Sequence, residues 1–320
     1  MTTADRTVAV TGASGLVGGR IVERLVLDGA ERVVPVVRGF GRVARFALLP
    51  QERMSFRVAD LLDQEALEDA FRGVDVVVHC AFGSRGSEDE RWATTVGGTA
   101  NVLAAARRAG VRRVVHLSTL DVYDRTTIER ITESAPARPD DPGDREYEQQ
   151  KLAAERLVLR AHGEGLETVV LQPGVIYGPW AEQWTVAQLT RPAADYEHLP
   201  TGDAGISNAV HVDDVADAAR LAVTAPVAAG QRYLVGSDEP VSWGAFFDAF
   251  RGMLGHGTPS GAGRCTVADW ELALYRQPGR AEFGKLRREL GHHARVSFAD
   301  GIALTAQWAR WYGLVPASAS

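Results

Sequence analysis

The stretch TVAVTGASGLVG, residues 7–18, decides the fold of this chain. Its first five residues are β-branched or small, which is typical of a strand buried on both faces. A turn with glycines at positions 12, 15 and 18 follows, and Val17, Ile21 and Leu25 then recur at helical spacing. A strand that leads through a glycine-rich turn into a helix is the opening unit of a doubly wound α/β sheet.

Strands and helices continue to alternate through the first half of the chain. Mostly valine-rich runs predict strands over residues 32–37, 56–59, 74–80, 113–118 and 167–172. Helical patterns occupy residues 16–28, 64–71, 91–109 and 147–162. This alternation predicts the α/β class, with a Rossmann-like, doubly wound parallel sheet.

The composition changes after Pro173, where glycine, proline and aromatic residues replace the regular alternation. We predict that residues 1–173 and about 209–236 form the sheet domain, and that about 174–208 and 237–320 form a smaller, interleaved C-terminal cap. The helix that begins at Ser297 has a capping-box pattern with Asp300. Aromatic and apolar residues on two helices are expected in the core of the cap: Trp243, Phe246, Phe247, Phe250, Leu304, Trp308 and Trp311.

Composition excludes several classes of protein. The 320 residues include 35 basic and 41 acidic ones, a net charge of −6, whereas a nucleic-acid-binding protein needs a basic face. No apolar run approaches the roughly 18 residues that span a bilayer, and Met1–Arg6 is polar and gives no secretory signal. We therefore expect a cytoplasmic protein that binds neither nucleic acid nor membrane. Cys80 and Cys265 form neither a disulfide scaffold nor a zinc motif, and no metal is expected.

The glycine turn has the properties of a dinucleotide-binding site. Gly12 permits the tight turn, Gly15 lets the backbone approach a pyrophosphate at the helix N-terminus, and Gly18 lets helix and strand pack closely. Contacts to the cofactor are expected from Gly12, Ser14, Gly15, Leu16 and Val17. The alternative is an ordinary strand–helix turn without a ligand.

The residue after the second strand bears on which dinucleotide is bound. Arg38 stands 20 residues past Gly18, where an arginine can meet the 2′-phosphate of NADP and an acidic residue would accept the ribose hydroxyls of NAD. We therefore predict NADP, with NAD as the alternative if Arg38 is only a surface residue. Asp60, after the third strand, is a candidate partner of the adenine amino group or a helix cap.

Two further groups of residues suggest acid–base chemistry. Tyr147 and Lys151 lie four residues apart and so share one helix face, where the ammonium would stabilise the tyrosinate and lower the pKa of the phenol. Lys151 is one of only two lysines in the chain, the other being Lys285. Thr119 follows the fifth strand, at the sheet edge where ligands bind. The alternatives are a surface pair and a polar strand end.

Together these motifs resemble the extended short-chain dehydrogenase/reductase family, the nucleotide-sugar epimerase/dehydratase group, over nearly the whole chain. The resemblance rests on the glycine turn, on the Tyr-x-x-x-Lys of Tyr147 and Lys151, and on Thr119 at the family's catalytic Ser/Thr position. It extends to five more segments: residues 78–81 (VHCA), 96–101 (VGGTAN), 172–179 (QPGVIYGP), 211–216 (HVDDVA) and 285–291 (KLRRELG).

The resemblance implies a mechanism and a site. Tyr147 exchanges a proton with the substrate oxygen, Lys151 lowers the pKa of Tyr147 and holds the nicotinamide ribose, and Thr119 hydrogen-bonds the same oxygen. Further cofactor contacts are implied at Leu61, Cys80, Ala81 and Pro173, beside Arg38, Asp60, Tyr147 and Lys151. The cap would bind a small-molecule substrate. Helices 91–109 and 147–162 would pair with their copies in a homodimer, which a monomer in light scattering would contradict.

Several positions depart from the family pattern. Leu120 and Asp121 stand where dehydratases carry Asp and Glu, which disfavours dehydration. Gln172 replaces a frequent Arg, and Thr95 replaces a frequent Asn. Asn208 stands near the position of an arginine that grips the diphosphate of nucleotide sugars. A diphosphate would therefore need one of three other arginines, Arg191, Arg232 or Arg280, or the substrate has none.

The resulting functional hypothesis is a ketoreductase or epimerase that acts on a sugar, in the first place a nucleotide-linked one. An enzyme alternative is a carbonyl reductase or alcohol dehydrogenase for a non-sugar natural product or a hydroxysteroid-like alcohol, with Trp180, Trp184 and Tyr196 as an apolar wall. A dinucleotide-sensing regulator is the non-enzyme alternative.

Overall fold

A computed structural model describes residues 3–139, 146–163, 165–256 and 266–315. The strands in this part of the chain are β1 (Thr7–Thr11), β2 (Arg32–Val37), β3 (Arg57–Val58), β4 (Val76–His79), β5 (Arg113–Leu117), β6 (Arg130–Ile131), β7 (Glu167–Pro173), β8 (Val175–Tyr177), β9 (Ala209–His211), β10 (Arg232–Val235) and β11 (Arg280–Ala281). The α-helices there are α1 (Leu16–Leu27), α2 (Gln64–Ala70), α3 (Glu88–Trp92), α4 (Gly98–Arg108), α5 (Glu146–Arg160), α6 (Ala187–Leu189), α7 (Ala193–Tyr196), α8 (Val212–Thr224), α9 (Trp243–Leu254), α10 (Asp269–Leu274), α11 (Gly284–Leu290) and α12 (Phe298–Tyr312).

The central sheet has seven strands in the order β10-β7-β5-β4-β1-β2-β3, and every neighbouring pair is parallel. The chain runs outward from β1 in one direction to β3 and then continues from β4 in the other. The carboxyl ends of β1 and β4 therefore flank the crevice where such sheets bind ligands. The predicted α/β class and Rossmann-like topology are confirmed.

Alternating side chains of the strands pack into two apolar layers, as expected for a sheet covered on both faces. Val8 and Val10 of β1 point into a cluster shared with α1, α8 and α11, whereas Ala9 points into a cluster with α2, α4 and α5. None of the described helices is both long enough and apolar enough to cross a bilayer.

A third apolar cluster lies in the segments predicted to form the cap. It joins Tyr177 of β8 to Trp243, Phe246, Phe247 and Phe250 of α9, all fully or almost fully buried. The core role predicted for the four aromatic residues of α9 is thus confirmed. The division of the chain into a dinucleotide-binding and a substrate-binding domain stays a prediction.

Two local predictions need correction. The helix predicted over residues 91–109 begins earlier, at a capping box of Ser87 and Glu90, and a π-helical turn at Ala93–Gly97 separates α3 from α4. On α12, Ser297 caps the helix as predicted and Trp308 is buried, but Leu304 and Trp311 are 45% and 75% exposed. The buried face of α12 is formed by Gly301, Thr305, Ala306, Trp308 and Ala309, and Leu304 and Trp311 lie outside that face.

Candidate active site

A cleft of about 580 Å³ opens at the carboxyl edge of the sheet. The sheet contributes the glycine turn after β1 and the ends of β4, β5 and β7, and α5 contributes Tyr147. Segments from the predicted cap, 181–184 and α10, form the opposite wall. The cleft brings together eight predicted site residues: Gly12, Gly15, Leu16, Val17, Cys80, Thr119, Tyr147 and Pro173.

The glycine turn is shaped for a phosphate-bearing ligand. A Cβ on Gly12, whose φ is +68°, would lie 2.8 Å from the amide nitrogen of Ala81, and a Cβ on Gly18 would collide with the carbonyl oxygen of Gly12. Gly15 precedes the first turn of α1 and makes no side-chain cap, so the first N–H groups of the helix face the cleft without a side-chain acceptor at the cap. A dinucleotide pyrophosphate fits this cradle of backbone donors.

The other predicted cofactor contacts lie outside the cleft wall but near the same sheet edge. Arg38 follows β2, is exposed, and has no hydrogen-bond or ion-pair partner among the described residues. The carboxylate of Asp60 accepts a hydrogen bond from the amide of Leu62 at 2.9 Å, as a turn-forming residue would. Ser14 lies half-buried within the glycine turn, and Leu61 is buried against Gly98.

Tyr147 and Lys151 occupy different environments. The Tyr147 side chain is 40% exposed in the cleft, with its ring 6.0 Å from that of Phe82. Lys151 is 4% exposed, and its Nζ donates to the carbonyl oxygen of Leu117 at 2.5 Å. Burial lowers the pKa of Lys151 to about 8. Lys151, one helical turn along α5 from the exposed Tyr147, therefore loses its proton at a lower pH than an ordinary lysine does.

Thr119 is held in a short polar chain at the end of β5. Its Oγ1 accepts from the amide of Asp121 at 3.2 Å and donates to the Asp121 carboxylate at 3.3 Å. That carboxylate also pairs with the guanidinium of Arg125, a residue that is only 3% exposed, at 2.8 Å. The second hydrogen bond of Thr119 is long, so a substrate oxygen can replace it.

A second polar chain supports the start of α5 beside Tyr147. Glu146 forms an ion pair with Arg91 through both carboxylate oxygens and accepts from Gln150. Thr95, in the π-helical turn, donates to Gln150 at 3.1 Å and accepts from the amide of Gly83 at 2.9 Å. Thr95 therefore holds α5 and the loop after β4 together, which gives a structural role to this departure from the family pattern.

Gln172 has a comparable role beneath the cleft. Its Nε2 donates to both oxygens of the buried Glu155 at 2.9 and 3.0 Å, and its Oε1 accepts from the Tyr123 hydroxyl at 3.0 Å. Ser118 donates to the same carboxylate. Burial raises the pKa of Glu155. The amide thus satisfies an acidic group that has almost no access to water.

The two titratable residues of the 78–81 motif, His79 and Cys80, are both uncharged at neutral pH. Burial lowers the pKa of His79 to about 3, and its ring nitrogens bond the hydroxyls of Thr11 at 2.8 Å and Thr99 at 3.0 Å. Burial raises the pKa of the Cys80 thiol to about 12, so it stays protonated at neutral pH. Cys80 is thus a wall of the cleft rather than a nucleophile.

The three arginines considered for a diphosphate do not line this cleft. Arg191 pairs with Glu271 at 2.9 Å, Arg232 lies 3.8 Å from Glu155, and Arg280 borders a separate surface depression. Asn208 is buried and bonds the backbone of Gly279 and Ala281 at 2.8 and 2.9 Å, so it also does not face the cleft. Among the described residues, no group of histidine, cysteine and carboxylate side chains could hold a metal.

Several cleft residues were not predicted. No sequence motif marked Arg91, Arg125 or Glu146 as part of the site, and single arginines are inconspicuous in so arginine-rich a sequence. Arg125 could have been suspected, because it follows Thr119 by only six residues. Trp270 and Leu274 of α10 reach the cleft from the tail of the chain. Only the tertiary fold places them there.

The chain matches known proteins across most of its length. Residues 8–236 match the model of the NAD dependent epimerase/dehydratase family. Sterol demethylase protein B of Methylococcus capsulatus is 29% identical over 97% of this chain and all of its own length. UDP-glucose 4-epimerase of Streptomyces lividans is 34% identical over 67% of this chain and 70% of its own.

A solved structure shares both the fold and part of the sequence. The dTDP-glucose 4,6-dehydratase DesIV of Streptomyces venezuelae, with NAD and TYD bound, superposes with a TM-score of 0.80 at 27% identity, over 95% of this chain and 97% of its own. The chain therefore belongs to the NAD dependent epimerase/dehydratase family, within the extended short-chain dehydrogenases/reductases, and is an oxidoreductase or epimerase of that type.

Proposed function

We propose that this enzyme is an NADP-dependent ketoreductase with Thr119, Tyr147 and Lys151 as its catalytic residues. One observation carries the proposal: Thr119 and Tyr147 both line the cleft that also holds the glycine turn, and Lys151 is buried one helical turn along α5 from Tyr147. Bound NADPH supplies the hydride. Arg38 supports NADP, since it is exposed at the end of β2 and no other described residue pairs with it.

In the proposed reaction, side chains of this chain bind the oxygen of the substrate and protonate it. Thr119 exchanges its long hydrogen bond to Asp121 for one to the substrate carbonyl, which fixes the oxygen beside Tyr147. As the carbonyl carbon gains the hydride, the Tyr147 hydroxyl transfers its proton to the oxygen, and an alcohol and a tyrosinate result. The ammonium of Lys151 stabilises that tyrosinate until solvent restores the proton.

We expect Arg38→Glu to weaken NADPH binding by about tenfold to 100-fold. The reason is that the variant loses one charge-assisted hydrogen bond to the 2′-phosphate and gains a carboxylate that repels it. NADH has no 2′-phosphate, so its dissociation constant should change by less than about threefold. Fluorescence titration of both cofactors against wild type and variant gives the comparison. Arg42→Glu, an exposed arginine four residues on, serves as the charge-matched control. Equal weakening of NADPH and NADH would refute the assignment of Arg38.

Epimerisation is the second candidate, and the similarity to a UDP-glucose 4-epimerase favours it. An epimerase oxidises and re-reduces the same carbon, so it can retain one cofactor over many turnovers. The test is to denature the purified protein and identify the dinucleotide that it releases. For a ketoreductase we expect little bound cofactor and tighter binding of added NADPH than of NADH. Near-stoichiometric release of NAD(H) would favour the epimerase instead.

A further inference from the structure

Several aromatic side chains line the cleft that contains Thr119 and Tyr147. Three of the large hydrophobic side chains that remain exposed in the described residues lie here: Phe82, Tyr147 and Trp270, at 44%, 40% and 46% exposure. Trp184 and Leu274 complete the wall on the side of the predicted cap. Exposed aromatic faces inside a concave site are stabilised when an apolar ligand covers them.

Both guanidinium groups of the same cleft are already paired with carboxylates of its wall. All three guanidinium nitrogens of Arg91 are engaged, two by Glu146 and one by the carbonyl oxygen of Gly86. The buried Arg125 pairs with Asp121. Counting Glu182, the described wall carries three carboxylates against two guanidinium groups, and Lys151 lies behind the wall rather than in it.

Binding of a phosphate group would be unfavourable in the part of the cleft beyond the glycine turn. To bind it, Arg91 or Arg125 would have to give up a carboxylate partner, which would leave that carboxylate partly buried and next to the phosphate. An uncharged ligand leaves both pairs intact. The wall therefore discriminates by charge as well as by shape.

We infer that the substrate is an uncharged, mainly apolar cyclic ketone or the corresponding secondary alcohol, not a sugar linked to a nucleoside diphosphate. Its oxygen lies at Thr119 and Tyr147, and its ring skeleton lies between Phe82 and the side chains of Trp270 and Leu274. This inference rests on the ketoreductase function proposed above and specifies the substrate of that site.

The test compares two kinds of probe, with NADP⁺ bound to the protein for the binding measurements and NADPH supplied for the turnover measurements. Trans-2-decalone and a 3-ketosteroid represent apolar cyclic ketones, and UDP and dTDP-4-keto-6-deoxyglucose represent nucleotide-linked ligands. Calorimetry measures binding, and NADPH oxidation measures turnover. We expect an apolar ketone to bind and be reduced, and Trp270→Ala to weaken its binding about tenfold while leaving the dissociation constant of NADPH within about twofold.

Trp311→Ala is the matched control, because Trp311 is 75% exposed on α12 and does not line the cleft. Its ketone affinity should equal that of the wild type. Binding of UDP or turnover of the keto sugar, with no binding of either apolar ketone, overturns the substrate class but leaves the ketoreductase function standing. Failure of all four probes to bind also overturns the substrate class. Ketone binding that Trp270→Ala weakens, without hydride transfer to any carbonyl, supports the substrate class and counts against the ketoreductase function.

Discussion

Replacement of Tyr147 by phenylalanine should lower kcat for ketone reduction by about 10²- to 10⁴-fold, the usual contribution of a positioned proton donor. The reason is specific: the ring that contacts Phe82 is retained and only the proton-bearing oxygen is lost. The dissociation constant of NADPH should stay within about threefold, since the glycine cradle is unchanged. Stopped-flow measurement of NADPH oxidation at saturating ketone gives the rate.

A folding defect would mimic this result, so the free energy of unfolding is the control. Tyr147 is 40% exposed, and we expect the substitution to change this free energy by less than about 0.5 kcal/mol. Replacement of Tyr312 by phenylalanine removes a hydroxyl of similar exposure on α12, away from the cleft, and should leave kcat unchanged. A Tyr147→Phe variant that folds, binds NADPH and reduces the ketone at the wild-type rate would refute the proposed acid–base role.

Replacement of Lys151 by methionine should lower kcat/KM by about 10²- to 10³-fold, as expected when a buried charge that stabilises the reacting oxygen is removed. In the wild type, burial lowers the pKa of Lys151 to about 8, so the side chain is mainly charged at pH 7 and discharges above pH 8. Only the charged form stabilises the tyrosinate. The rate of reduction should therefore fall as the pH rises through about 8.

The Lys151→Arg variant separates charge from structure. Arginine does not discharge in this pH range, so any activity that remains should lose the decline near pH 8. The methionine variant, at its low residual rate, should lose the same decline. An unchanged decline near pH 8 in either variant would assign it to another group and contradict the role given to Lys151.

The sheet was predictable because its signals are local. Valine-rich runs and glycine stops recur along the chain, and each β–α unit adds to the same parallel sheet. The bounds of β1 and β2 follow directly from such runs. The π-helical turn at Ala93–Gly97 was not predicted, since its sequence continues an ordinary helical pattern and the hydrogen bonds of Thr95 lie across the fold.

The candidate site was predictable only where motif spacing reflects chemistry. The positions of Thr119 and of the Tyr147–Lys151 pair relative to the strands indicated their place at one sheet edge, while their catalytic roles stay predictions. Neither Trp270 nor the Arg125–Asp121 pair was predicted as part of the cleft. Trp270 comes from α10, more than 120 residues along the chain from Tyr147. Its contribution to the cleft depends on long-range packing that no local pattern encodes.

The most direct test of the proposed hydride transfer is to follow deuterium from NADPH labelled at both C4 positions of the nicotinamide ring to a carbonyl substrate. The wild type and the Tyr147→Phe variant, both shown to bind NADPH, are incubated with the apolar ketones and the keto sugar, and the products are analysed by mass spectrometry. We predict deuterium on the carbinol carbon with the wild type and a loss of at least about 100-fold in the variant. Absence of deuterium from every product, or equal incorporation by the two proteins, would contradict it.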